Sequence, residues 1–208
     1  MRETDAPDRP EQLPAWANPN THAGGPHFGE MIDQVRRVMD AARVIDPDDA
    51  LASGLIADLA AIATRMEAAA ATPSMAPGDS RIDLPGRGNV ALPPFTMVSD
   101  GPDGVVAETV FRTFHLGEGA AHGGYVSLFF DELAGYAAMH AISDGMPRTA
   151  FLKVDYRSLT PVGRTLTGKV WVEGTEGRKL FLRGSLHDGE RLCAEMEALF
   201  LTVPMPRL

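Results

Sequence analysis

The stretch from Gly123 to Ala141, GGYVSLFFDELAGYAAMHA, decides the fold. It is apolar on nearly every side, and a helix of that kind is buried rather than laid on a surface. Around it the pattern is different. After Leu92 the apolar period changes to two. Val105–Phe114 is rich in β-branched and aromatic residues, as strands prefer, and 149–157, 164–173, 178–187 and 191–202 read as four further strands. In the last of these Leu192, Ala194, Met196, Ala198 and Phe200 alternate with Cys193, Glu195, Glu197 and Leu199. Asp188-Gly189 before it signals a tight hairpin, because glycine tolerates the positive φ such turns need, and Glu176-Gly177 turns the preceding pair. An α+β architecture follows: a strongly curved antiparallel sheet wrapped around one long central helix. A βαβ fold fits badly, since one helix lies among about six strands.

Ahead of this domain (91–208) the chain changes character. Residues 1–26 are rich in proline and charge and are expected to form a flexible N-terminal arm, with the Trp16 ring lying on the domain surface. Residues 27–72 read as a helical extension. Met31, Val35, Val38, Met39 and Ala42 share one helix face. Asp46-Pro47-Asp48-Asp49 predicts a second helix start, with Asp46 as cap and Asp49 completing a capping box. Leu51, Leu55, Leu59, Ile62 and Met66 then form the stripe expected to be buried. Residues 73–90, with their prolines and glycines, read as a linker. Gly86-Arg87-Gly88 within it lacks the flanking strand and helix that a phosphate loop needs.

Composition narrows the classes. With 208 residues, 44% hydrophobic and 23% charged, the chain has the ordinary globular mix. A single cysteine, Cys193, excludes an intrachain disulfide and a multi-cysteine zinc site, and the histidines lack ligand spacing, so no metal is expected. The net charge of −9 argues against nucleic acid. Residues 1–90 hold eight basic and fourteen acidic side chains and 91–208 hold eleven and fourteen, so most of that charge lies ahead of the domain. No apolar run approaches the roughly 20 residues that span a bilayer, and no apolar h-region follows Met1. A cytoplasmic location without a membrane span is the expectation.

The chemistry is concentrated at the start of the central helix. Ala121-His122-Gly123-Gly124 opens it with two glycines, although glycine costs up to about 1 kcal/mol within helices. Two readings stand side by side. The missing side chains either admit a ligand oxygen to the free N–H groups of the first turn, where developing negative charge is favoured, or they allow close backbone packing. Asp131 lies further along, inside an otherwise apolar run. A carboxylate on a buried side must be hydrogen-bonded, paired or functional. Its neighbour Glu132 is expected to face solvent or a helix edge. Eight residues separate Gly123 from Asp131, roughly 12 Å along the axis, so one carbonyl cannot touch both in one chain. Two antiparallel copies of the helix across a two-fold axis would bring them together, which predicts a homodimer with shared sites.

The segment His122-Gly123-Gly124 to Asp131, followed by Thr149–Tyr156 and the closing GRKLFLRGSLHDGERLCAEMEALFL, resembles the hotdog-fold acyl-CoA thioesterases of the phenylacetate-pathway type. It is most similar to the human mitochondrial thioesterase-superfamily subgroup, over about residues 91–203. The resemblance implies hydrolysis of an acyl-CoA to free acid and coenzyme A. It implies that the Gly123 amide donates to the thioester carbonyl and that Asp131 of the partner subunit is general base or nucleophile. It further implies that His122 shapes the carbonyl pocket and that Thr149 helps place the attacking water. Gly124, Ser127, Tyr156 and Arg157 are the expected substrate contacts, Arg157 toward the coenzyme A phosphates. Coenzyme A is part of the substrate, and no separate cofactor is implied. A homodimer, open to pairing into a tetramer, would be the working unit. Phe95, Phe129 and Phe130 suggest a hydrophobic acyl channel. Two rivals are a hotdog enoyl-thioester hydratase or dehydratase and a non-catalytic acyl-thioester binding protein.

Overall fold

The computed structural model describes residues 20–72 and 76–204. Most of the arm expected over 1–26, Trp16 included, lies outside the described residues. Two helices come first, α1 (Phe28–Val44) and α2 (Asp49–Glu67), then strands β1 (Phe95–Gly101) and β2 (Gly104–Val110). The central helix α3 (Gly123–His140) follows, and then β3 (Met146–Tyr156), β4 (Thr165–Glu176), β5 (Lys179–Asp188) and β6 (Arg191–Val203). All six strands pair antiparallel in one sheet of order β1-β2-β4-β5-β6-β3. Gly177 and Gly189 turn the last two hairpins at φ 57° and 59°, the left-handed geometry expected of them.

The sheet closes over one side of α3. Val126, Phe129, Phe130, Leu133, Ala134, Ala137 and Ala138 are buried there against Phe95, Phe111, Leu166, Leu182, Leu186 and Met196. Phe95, Phe129 and Phe130 are therefore core side chains rather than channel walls, and Phe129 packs edge-on to Phe95 and Phe111. Burying three such rings contributes on the order of 2 kcal/mol each, a better use of them than lining a passage. Cys193 is buried in the same cluster. On the other side of α3, Gly124, Ser127, Asp131 and Gly135, spaced three, four and four residues apart, are exposed or half-buried. That stripe is not covered by its own sheet.

Two features of β3 place the site. The strand is a sheet edge eleven residues long and leaves Phe151 49% exposed. It also bulges between Thr149 and Phe151: Thr149 lies opposite Phe200, Leu152 opposite Ala198 and Tyr156 opposite Ala194. Phe200, Ala198 and Ala194 share the α3 side, so the extra residue puts Thr149 and Tyr156 on that side together despite their odd spacing.

The extension departs from expectation in three ways. In α1 the buried residues are Ile32 and Arg36, while Met31 and Val38 are exposed. The helix is rotated because Arg36 donates through Nη2 to Pro85 O and Asn89 O, both at 3.0 Å. Asp40 on the same face accepts from Phe114 N at 3.1 Å and from Arg112 Nε at 2.9 Å. Those bonds also end β2 at Val110 and fold Thr113–His115 into a short turn. Second, α2 begins two residues later than read, capped by Asp48 rather than Asp46, with Asp48 accepting from Leu51 N at 2.8 Å, and none of its residues is buried; Leu59 and Ile62 stand 47% and 46% exposed. Third, residues 76–90 are packed in place, with Ser80, Arg81 and Arg87 buried. Arg81 holds Ala23 O, Gly25 O and Asp83 there. No helix among the described residues is long and apolar enough to cross a membrane.

Candidate active site

The first turn of α3 is held from several directions. Ala121 N donates to Thr160 O at 2.8 Å and His122 N to His115 O at 2.8 Å. His122 is the N-cap, and its Nδ1 accepts the Gly124 N–H at 3.0 Å, which places its ring proton on Nε2. Gly124 N–H is thereby committed. Among the described residues the Gly123 N–H has no acceptor, so it is the open donor of the first turn. Tyr156 reaches in from β3 and donates its hydroxyl to Gly123 O at 2.8 Å, with Ser127 Oγ 3.1 Å from the Tyr156 hydroxyl oxygen. A Cβ on Gly123 would stand 2.7 Å from that hydroxyl. Both readings of the glycine thus hold at once: it lets Tyr156 approach, and it leaves an amide free. Leu116, His122, Gly124, Tyr125 and Leu128 line a shallow, largely apolar hollow beside it.

Asp131 sits in a separate cleft of about 170 Å³ lined by Arg87, Glu132, Tyr136, Arg148, Thr149 and Phe200 among others. Thr149 Oγ1 donates to Asp131 Oδ1 at 2.8 Å. That bond fixes one carboxylate oxygen, and Oδ2 has no hydrogen-bond partner among the described residues. Glu132, expected to face solvent or a helix edge, instead has its side chain only 18% exposed. Burial pushes its carboxyl up, while Arg87, 2.7 Å away, pulls it back. Arg87 also pairs with Asp79 at 3.2 Å and lies over the Tyr136 ring. Sequence reasoning passed over Arg87, Glu132, Tyr136 and Arg148. The glycines flanking Arg87 were the one signal there, and they read more readily as linker.

The expected site residues therefore fall into three groups. Asp131 and Thr149 form one, and His122, Gly123, Gly124, Ser127 and Tyr156 form a second. Within one chain the two share no lining residue. Arg157 belongs to neither: its Nε pairs with Glu195 at 2.7 Å. It lines a charged groove on the opposite sheet face with Asp155, Trp171, Glu173 and Arg183. Behind the helix start, His115 is fully buried against Phe114 and Tyr125. Its Nδ1 accepts from Arg112 N at 2.7 Å, and burial lowers its pKa from 6.5 to about 4. Among the described residues no group of three or more metal-ligating side chains gathers.

A curved antiparallel sheet clasping one long helix, with its polar groups at the helix start and on one uncovered stripe, is the hotdog architecture. Residues 118–195 match the sequence model of the thioesterase superfamily. The acyl-coenzyme A thioesterase THEM4 of Xenopus laevis is 35% identical over 85 residues, which cover 40% of this chain and 37% of that protein. The chain thus spans well under half the length of that curated relative. The crystal structure of a thioesterase superfamily protein superimposes with a TM-score of 0.71 at 24% identity, covering 85% of this chain and 96% of its own. Residues 91–208 alone cannot supply that coverage, so the shared fold reaches into the helical extension. A Streptococcus mutans protein bound to acetyl CoA aligns at 18% identity and TM-score 0.50, over 54% of this chain and 91% of its own. A hypothetical thioesterase of Streptococcus pneumoniae with coenzyme A aligns at 16% identity and TM-score 0.50, with the same two coverages.

Proposed function

We propose that this protein hydrolyses acyl-CoA thioesters in sites shared between the two subunits of a homodimer. The observation that carries the proposal is the Thr149–Asp131 hydrogen bond of 2.8 Å on the uncovered stripe of α3. It orients a carboxylate outward, roughly 12 Å from the open Gly123 amide of its own chain. Pairing of two copies along the exposed β3 edge, with their α3 helices antiparallel, would set each Asp131 beside the other subunit's Gly123. An edge strand of that length needs such a cover.

The chemistry then balances without further groups. The Gly123 N–H and the positive helix end polarise the thioester carbonyl. Asp131 takes a proton from water, the hydroxide bonds to the carbonyl carbon, and the oxyanion rests on the amide. Collapse breaks the C–S bond and expels coenzyme A as a thiolate. Its pKa near 8.5 makes it a good leaving group, and it takes its proton from solvent. His122 holds Gly124 N–H and so keeps the first turn in shape, while Tyr156 fixes the Gly123 peptide from the carbonyl side. Direct attack by Asp131, through an anhydride, uses the same geometry.

Thiol release from a panel of acyl-CoAs tests this. Asp131→Asn keeps an acceptor for Thr149 but removes the base, and turnover is expected to fall by at least about 100-fold with dimer mass unchanged. Unchanged hydrolysis in Asp131→Ala would sink the assignment. Hydration of an enoyl-CoA without thiol release would make the protein a hydratase instead.

A further inference from the structure

We infer that Asp40, on α1 of the helical extension, is a positioning residue for the Gly123 amide, because it holds the 112–116 turn from which the start of α3 hangs. The inference rests on the acyl-thioester reading above and adds the extension to the machinery of that site.

The open Gly123 N–H belongs to the peptide that joins Gly123 to His122. The carbonyl side of that peptide is fixed by the helix itself, since Tyr125 N donates to His122 O at 3.0 Å. Where the peptide stands is set one residue further back, by His122 N donating to His115 O at 2.8 Å. Leu116 and Ala121 pair as an isolated bridge just beyond, and Gly117 N closes the loop between them on Ala120 O at 2.7 Å. A ring contact repeats the coupling. His115 packs edge-on to Tyr125 of the first helical turn, with centroids 4.5 Å apart. A shift of the 112–116 turn therefore carries the first turn of α3 with it.

The turn's own bonds give it a shape: His115 N donates to Arg112 O at 3.0 Å, Leu116 N to Thr113 O at 3.1 Å and Arg112 N to His115 Nδ1 at 2.7 Å. Asp40 gives it an address. Phe114 N, an orphan donor of so short a helix, is accepted by Asp40 Oδ1 at 3.1 Å. Asp40 Oδ2 accepts from Arg112 Nε at 2.9 Å and pairs with Nη2 at 2.7 Å. One carboxylate thus grips the backbone and the side chain of the turn together. The two side chains are only 23% and 27% exposed, so water screens the pair little. Arg43, three residues on along the same helix face, donates to Leu116 O at 3.2 Å. The helix that carries both is anchored away from the site, through Arg36 to Pro85 O and Asn89 O. Misplacing a reacting group by about 1 Å can cost on the order of 100-fold in rate. An amide that meets the oxyanion acts mainly on the transition state, so its displacement lowers kcat more than it weakens binding. The Ala121 N–Thr160 O bond and the buried Phe111 and Phe114 rings remain when Asp40 is changed, so the turn is expected to shift and stay packed.

Two substitutions in the full-length protein test this. Asp40→Asn keeps an oxygen for Phe114 N but releases Arg112, and Asp40→Ala releases both. Thiol release is followed with straight-chain acyl-CoAs from acetyl to palmitoyl, and the fastest of them gives kcat and KM. In Asp40→Asn kcat is expected to fall roughly three- to tenfold, and in Asp40→Ala about thirtyfold or more, with KM within about threefold of wild type in both. Amide hydrogen exchange, read by NMR without substrate, is expected to quicken about tenfold at His122 and Gly124 in Asp40→Asn and to stay unchanged at Leu133 in the core of α3. The asparagine variant decides the matter even if the alanine variant fails to fold. A kcat in Asp40→Asn within twofold of wild type overturns the inference, and so does an effect confined to KM. Undiminished protection of the His122 and Gly124 amides overturns it as well. Quickened exchange at those amides in a protein that releases thiol from no acyl-CoA would support the coupling and refute hydrolysis, so the two readings fail separately.

Discussion

Replacing Arg36 by methionine would measure how firmly the helical extension is tied to the rest of the chain. Arg36 is 1% exposed and is the largest fully buried side chain outside the aromatic core. Methionine fills nearly the same stem volume, so the change isolates the guanidinium. Two backbone carbonyls, Pro85 O and Asn89 O, lose their 3.0 Å donor. Leaving each unsatisfied costs about 1–3 kcal/mol. The contact to Asp33 at 3.3 Å adds little, because Asp33 is largely exposed. Against these losses stands a gain. Burial lowers the Arg36 pKa, and its Nε lacks a partner, so removing the charge recovers on the order of 1 kcal/mol. The net destabilisation is therefore about 3 kcal/mol, or a fall in melting temperature of roughly 6–12 °C at this chain length. Urea titration of the two proteins, followed by fluorescence and circular dichroism together, reads it directly. A loss below about 1 kcal/mol would refute the claim that Arg36 holds the 85–89 turn, since the two carbonyls alone should cost more.

Other perturbations follow from the same geometry. His115, neutral when folded, protonates in the unfolded chain first, so its contribution is complete above its ordinary pKa of 6.5 and is lost as pH falls toward about 4. Between pH of about 7.5 and 5 that amounts to roughly 2 kcal/mol, and His115→Phe should flatten this part of the urea-unfolding profile. Gly168→Ala would drive a methyl into the Phe129 ring and against Leu133, so a loss of about 1–3 kcal/mol is expected by thermal melting. Tyr156→Phe removes the hydroxyl that holds Gly123 O and Ser127. With the ring half in solvent, stability should change by under about 1 kcal/mol, while turnover falls roughly tenfold as the helix start loosens.

Much of the fold was legible because its signals are local. The period-two strands, the Asp188-Gly189 turn and the all-round apolar helix each depend on residues near in sequence, and each formed within a few residues of where it was read. The extension was harder. An arginine in an amphipathic helix reads as a surface residue, yet Arg36 faces inward because two carbonyls from residues 85 and 89 await it. The same partnership turned an apparent linker into a packed segment. For Asp131 and Glu132 the adjacent acids could not be told apart by composition. Asp131 meets Thr149 on the open stripe, whereas Glu132 points back to Arg87.

By itself the sequence determined the kind of scaffold, a sheet around one apolar helix. It also marked the helix opening and the acid eight residues on as the places where chemistry could occur, since local periodicity and residue type suffice for both. Only the tertiary structure decided which groups meet. Strict alternation would have sent Thr149 and Tyr156 to opposite faces of β3, and the bulge at Ala150 brings both to α3. Likewise, Arg87 enters the Asp131 cleft from more than forty residues upstream because buried hydrogen bonds, invisible to any local pattern, fold its segment against the domain. Pairing across such distances depends on register and on unsatisfied polar groups finding partners, and neither is written in the neighbourhood of the residues concerned.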